Sequence, residues 1–142
     1  LAAKTISLSK YFLGKRRFRL SNTIYNLCDN PMKHINLDQI NATGVSHNPS
    51  IRKRVMLGNG DLTNLTNFAQ ARFAPGDVAA AHSHADMSEV FFVESGSGKI
   101  CVDGVDVALI PGGCVAIAPH EVHEVSNTGE EDLVLTYFGI RA

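Results

Sequence analysis

Beyond residue 50 the chain alternates apolar and polar positions in short runs, each closed by glycine, proline, aspartate or asparagine. That rhythm has the two-residue period of half-buried strands rather than the 3.6-residue period of helices. It predicts strands over 52–57, 65–73, 78–84, 89–94, 98–102, 105–110, 114–118, 123–126 and 133–139. The punctuation between them is chemically apt. Asp103-Gly104 joins two alternating runs as a two-residue hairpin, because glycine accepts positive φ without penalty. Gly58-Asn59-Gly60-Asp61, Pro75-Gly76-Asp77 and Pro111-Gly112-Gly113 mark further turns. Ahead of these, residues 35–40 read as a short amphipathic piece leading into a polar stretch over 41–49. Many short strands with no helical period predict an all-β chain, a double-sheet jelly-roll barrel. The run Val90-Phe91-Phe92-Val93 is apolar in both parities, which predicts a strand buried on both faces.

Length and charge narrow this picture. A chain of 142 residues supports one domain with its own core. No apolar run reaches the roughly 18 residues a membrane helix needs, so no membrane partner is expected. Net charge is −1 but uneven. Residues 1–31 carry six basic side chains (Lys4, Lys10, Lys15, Arg16, Arg17, Arg19) against Asp29 alone, and the remainder is mildly acidic. An acidic domain offers no basic face to nucleic acid, which argues against that partner. Cys28, Cys101 and Cys114 are odd in number, without C-x-x-C spacing, and read as free thiols of a reducing, cytoplasmic compartment. The Asn-x-Thr triplets at Asn41 and Asn64 are read as fortuitous, since no secretory signal accompanies them.

The first 31 residues show no regular period and are expected to be poorly ordered. Three readings stand: sequence upstream of a natural start at Met32, a basic serine-bearing transit segment, or a native basic arm. The barrel domain is expected over 32–142.

Four of the six histidines fall between 82 and 123. His82 and His84 are two apart, so on a strand both rings point to one face, about 7 Å apart along the backbone. Two imidazoles so placed can converge on one ion. A lone strand histidine is more often a satisfied polar group, and an H-x-H with a nearby carboxylate can be a surface cluster. The surroundings favour a shared partner: Val78-Ala79-Ala80-Ala81 precede the pair and Val90 to Val93 follow it. Glu89 lies an odd number of residues beyond His84, so one straight strand would aim it at the opposite face. A break over 85–88 must put Glu89 on the next strand.

The stretch Gly76-x5-His82-x-His84-x4-Glu89-x6-Gly96 resembles the first cupin motif at every fixed position. Gly112, His123 and Asn127 are similar to the second, although Ala118 and His120 stand at its usual proline and glycine positions, with Pro119 between them. Fifteen residues, 97–111, separate the motifs, as in small single-domain cupins. The resemblance covers about residues 50–140 and implies His82, His84, Glu89 and His123 as ligands of one divalent first-row ion (Fe, Mn, Zn, Ni or Co). Four such donors leave an octahedral ion open to water or substrate.

Other residues are candidates for work around that ion. His120 is a candidate acid–base catalyst, or an exposed turn histidine. Gln70 and Arg72 share one face of their strand and would orient a polar or anionic substrate if that face is inward. Met87, Phe91 and Tyr137 would line the pocket, or pack in the core. Glu121 and Glu124 read as solvent-facing. Fold does not fix function here. The reading taken forward is a metal-dependent, dioxygenase-like enzyme on a small organic substrate. A sugar or polar-carbonyl isomerase or epimerase, and a non-catalytic module binding a small ligand or metal, stand beside it. Exposed strand edges predict a homodimer.

Overall fold

The computed structural model describes residues 19–20, 23–24, 32–46 and 48–142. The chain divides into two units, Leu1–Met32 and Lys33–Ala142. In the first, β1 (Arg19–Leu20) pairs antiparallel with β2 (Thr23–Ile24). The remaining residues up to Pro31, on which the expectations for the N-terminal tract fall, lie outside the described residues.

Strands are the dominant element of the second unit. A 3-10 turn over Leu37–Gln39 opens it, where Asn36 caps the Asp38 N–H with its side chain. Ten strands follow: β3 (Thr43–Val45), β4 (Asn48–Leu57), β5 (Leu65–Phe73), β6 (Val78–His82), β7 (Met87–Ser95), β8 (Gly98–Val102), β9 (Val105–Leu109), β10 (Cys114–Ile117), β11 (His123–Ser126) and β12 (Leu133–Arg141). They form two antiparallel sheets, β10-β7-β12-β5-β4-β3 and β6-β11-β8-β9. This is the double-sheet jelly roll that the alternation predicts.

Three local differences from the sequence reading have physical causes. β3 arises inside the stretch read as polar loop, and β4 begins four residues early, at Asn48. Pro49 is tolerated there because the β3–β4 register slips between Gly44 and Val45, so no ladder bond demands its missing N–H. β6 ends at His82, two residues early, and the chain bends at Ala85 and Asp86 before β7. Third, β7 is not buried on both faces. Phe91 and Val93 are buried, but Phe92 is 45% exposed on the outer side of its sheet. No layer among the described residues covers that face.

The core fills the space between the sheets. Ile51, Phe73, Val93, Leu133 and Leu135 come from the larger sheet, and Ile100, Leu109 and Val125 from the smaller. Each of these large apolar side chains contributes roughly 1.5–3 kcal/mol on full burial. The hairpin at Asp103-Gly104 has φ of 46° and 84° at its two central residues, the left-handed geometry that the pair predicts. Gly96, at φ 77°, carries the chain past Leu133; a Cβ there would collide with the carbonyl oxygen of Asp132. Asn127, 3% exposed, ties the two ends together. Its amide donates to the Phe73 and Glu131 carbonyls at 2.9 and 2.8 Å, and its Oδ1 accepts from the Gly129 N–H at 2.9 Å.

Candidate metal centre

Four side chains converge between the two sheets. His82 ends β6, and His123 opens β11 directly opposite it in the ladder. His84 sits just past β6, where the chain is no longer extended in the ladder. Glu89 comes from β7 of the other sheet, because the bend at Ala85 and Asp86 resets the face it presents. One donor atom from each of the four lies within 4.8 Å of every other. The sequence-predicted ligands are therefore one cluster.

The geometry within the cluster is that of groups aimed at a common point. Glu89 Oε2 is 3.2 Å from His84 Nε2 and 3.2 Å from His123 Nε2. The His82 and His123 rings are 4.4 Å apart between centroids. His82 Nδ1–H donates to the Ala80 carbonyl at 2.8 Å, and His123 Nδ1–H to the Glu121 carbonyl at 3.2 Å. A carbonyl only accepts, so each Nδ1 holds a proton, and whenever the ring is neutral its Nε2 presents a lone pair to the cluster. Glu89 and His123 are buried, while His82 and His84 are half-buried and close the cluster on its open side.

Electrostatics inside the cluster are unbalanced. Burial lowers the His82 pKa, the Ala80 carbonyl opposes this, and the neighbouring His123 and His84 rings push it down further. Burial also disfavours charge on His123, but the Glu89 carboxylate and the Glu121 carbonyl outweigh it and hold its pKa above the ordinary value. His84 Nε2 is buried and makes no hydrogen bond among the described residues. It lies 3.2 Å from Glu89 Oε2, and three imidazoles and a buried carboxylate gathered this closely are donors that one cation would satisfy together. Three imidazole nitrogens and one carboxylate oxygen suit a first-row divalent ion, so the residues fit the group.

A cavity of about 220 Å³ opens on the cluster. His82, His84 and Glu89 form one part of its wall, and Phe91, Tyr137 and Val125 another. The Phe91 and Tyr137 rings are stacked, 5.7 Å apart at 15°. Burial, with the Glu89 carboxylate adding to it, pushes the Tyr137 phenol up to about 12, so it stays a hydrogen-bond donor at neutral pH.

Other candidates fall elsewhere. Gln70 and Arg72 lie on the outer face of β5, where Gln70 donates to Glu94 at 2.7 Å and Arg72 pairs with Asp132 at 3.0 Å. The inward face of that strand belongs to Asn67, Ala69, Ala71 and Phe73, which corrects the pocket role suggested for the pair. Met87 shares the parity of Glu89 but does not line the cavity; its Sδ accepts from the Thr66 hydroxyl at 3.3 Å. His120 is exposed, outside the cavity wall, and at φ 73°. Its contact with the site is through its main chain, whose N–H donates to the His84 carbonyl at 2.7 Å. The sequence reading missed Lys53, Asn67 and Ser46, all of which line the cavity. For Lys53 the signal was its shared parity with Ile51 and Val55.

A jelly roll holding three histidines and a glutamate between its sheets defines the class: small double-sheet barrels with a cluster that could hold a metal ion. A family model described as the cupin domain matches residues 69–139, and the chain belongs to the cupin family. It is 30% identical over 66 residues to an oxalate-binding protein of Thermotoga maritima, an alignment covering 46% of this chain and 54% of that one. The chain thus spans about half the length of that curated relative. Among solved structures, a Thermotoga maritima protein described as a predicted oxalate decarboxylase superposes with a TM-score of 0.73 at 21% identity, over 78% of this chain and all of that one. A sugar phosphate isomerase of the cupin superfamily from Silicibacter pomeroyi superposes with a TM-score of 0.66 at 18% identity, over 78% and 79% of the two chains. At these identities the superpositions establish the fold alone. Among the described residues, no helix is long and apolar enough to cross a membrane.

Proposed function

We propose that this cupin is a metal-dependent enzyme acting on a small organic substrate, with dioxygenase-like chemistry. The observation that carries this reading is the cluster of three imidazoles and a buried carboxylate, one donor atom of each within 4.8 Å of the others, opening on a cavity. When bound, a divalent ion such as Fe, Mn, Ni, Co or Zn would supply Lewis acidity and, for the redox-active ones, a site for dioxygen. His82, His84, Glu89 and His123 would hold it. Glu121 and Ala80 fix the tautomers through their carbonyls. Phe91, Val125 and Leu135 exclude water from the substrate, and Tyr137 donates a hydrogen bond to it.

An isomerase needs a non-ligand base beside the substrate. Among the described residues, the histidines lining the cavity are both assigned as ligands, and the non-ligand titratable side chains there are Lys53 and Tyr137, which such a reaction would have to use. The cavity is smaller than the roughly 300 Å³ at which drug-sized pockets begin, which suits a substrate of a few carbon atoms.

The test is dioxygen uptake by protein loaded separately with Fe²⁺, Mn²⁺, Ni²⁺ and Zn²⁺, against a panel of small enolic and carboxylic compounds. Uptake with a redox-active metal and none with Zn²⁺ supports the reading. Turnover of the same compounds at equal rate under argon would sink it.

We also propose that two copies pair through the outer face of the six-stranded sheet. There Phe92 and Val90 face Cys114 and Ala116 of the edge strand β10, leaving an exposed apolar surface beside unpaired backbone.

A further inference from the structure

Among the described residues, Lys53 is the one lysine or arginine in the wall of the cavity. On β4 it shares the inward parity of Ile51 and stands opposite Ala71, both buried. Among the described residues no carboxylate lies within ion-pair distance of its ammonium; the lysine pairs present are Lys33 with Asp61 and Lys99 with Asp106. Among the described residues, Glu89 is the only acid lining the cavity. Lys53 is half-buried and borders this largely apolar space with no carboxylate in ion-pair distance among the described residues, which leaves its charge available to a bound anion.

Charge counting sharpens this. Neutral imidazoles add nothing, and Glu89 offsets one of the two charges of a divalent ion. With Lys53 the occupied cavity would carry about two net positive charges within walls formed by Phe73, Phe91 and Leu135. Such a space concentrates small anions. Asn67, also in the wall, adds an amide, and Ser46 a hydroxyl at the exposed rim.

We infer that the cavity recognises a small organic carboxylate, its carboxyl group paired with the Lys53 ammonium while a second oxygen of the same molecule reaches the metal. Lys53 is then the specificity-determining residue. The inference rests on the metal-centre reading and names the substrate class for that site.

The experiment uses protein loaded with Co²⁺, whose visible spectrum reports the ligand set, and two probes of equal size, malonate and its neutral analogue malonamide. Elemental analysis first establishes cobalt content, which tests the metal reading by itself. Wild type should bind malonate in preference to malonamide. Lys53→Met should keep its cobalt, spectrum and melting temperature, yet bind malonate at least tenfold more weakly, with malonamide unchanged. Lys53→Arg should retain most of the affinity. Equal malonate affinity in wild type and Lys53→Met overturns the inference, as does an absence of malonate binding to wild type at millimolar concentration. Should the wild type hold no cobalt, the metal reading fails separately. Malonate binding to the metal-free protein that still depends on Lys53 would then uphold the carboxylate assignment, and binding indifferent to Lys53 would overturn it.

Discussion

His82 and His123 stand opposite each other across the β6–β11 ladder and anchor their rings the same way, each Nδ1 donating to the carbonyl two residues before it. The pairing turns a local backbone rule into a metal-site device. An extended chain places the carbonyl of residue i−2 within reach of the ring at i, so the tautomer is set before any ion arrives. Both Nε2 atoms then face Glu89 and His84 across the space between the sheets.

Loss of the half-buried His84 and of the buried His123 should have different consequences. His84→Ala removes a half-buried ring whose Nε2 makes no hydrogen bond, so metal content should fall from about one ion per chain while stability in chelator changes by less than about 1 kcal/mol. His123→Ala empties a position only 1% exposed and leaves Glu89 without its buried hydrogen-bond partner. It should also lose the metal, but cost roughly 2–4 kcal/mol in the metal-free protein. Elemental analysis and urea unfolding in chelator check both. Full metal retention by His84→Ala would remove it from the ligand set.

Much of this was legible beforehand, and what was not has a common cause. Period-two alternation locates strands well, and β5, β8 and β11 keep the bounds it predicts. It defines two faces without saying which one looks inward. On β5 the bulkier Phe68 lies on the outer face and the small Ala69 and Ala71 on the inner. A barrel that must keep a cavity beside its histidine–glutamate cluster needs small side chains there, the reverse of the usual rule for a core. Gln70 and Arg72 were open to misplacement for that reason. Lys53 was hidden by its neighbours, since Arg52-Lys53-Arg54 reads as a solvated run unless Ile51 and Val55 set the parity. The ligands were easier, because a motif fixes residues that no period can.

Tyr137 should give the protein a stability loss in strong alkali. Burial, with the Glu89 carboxylate adding to it, pushes its phenol up to about 12 in the folded chain from about 10 when unfolded. Folding therefore favours the protonated form. The contribution is complete below about pH 10 and is lost as pH rises toward 12, on the order of 2 kcal/mol in total. Ultraviolet titration of the wild type against Tyr137→Phe should show one late phenol missing in the variant. If Tyr137→Phe declines in stability over that window as steeply as the wild type, the assignment is wrong.

The exposed aromatic on β7 bears on assembly. If copies pair through the outer face of the six-stranded sheet, Phe92→Lys puts two charges into that contact. Sedimentation at tens of micromolar should show a dimer for the wild type and a monomer for the variant, with metal content unchanged. A wild-type monomer under those conditions rules out the proposed pairing.

His120 offers the sharpest separation of a structural from a chemical role. It occupies the position where related motifs carry glycine, and its φ of 73° shows why glycine suits it. The conformation is held because its N–H reaches the His84 carbonyl, and the turn is closed by Glu121, whose carboxylate accepts from the Ala118 N–H at 2.7 Å. None of this uses the imidazole, which is exposed. His120→Gly keeps the N–H and relieves the left-handed strain of about 1–2 kcal/mol, partly offset by the greater freedom of glycine in the unfolded chain. The expected result is unchanged metal content, unchanged turnover of any substrate found, and a gain in stability of up to about 1 kcal/mol. His120→Pro removes the N–H and cannot adopt positive φ, so it should loosen His84 and lower metal affinity. A His120→Gly variant that binds metal normally but loses turnover would return the imidazole to the catalytic machinery and revive the isomerase reading.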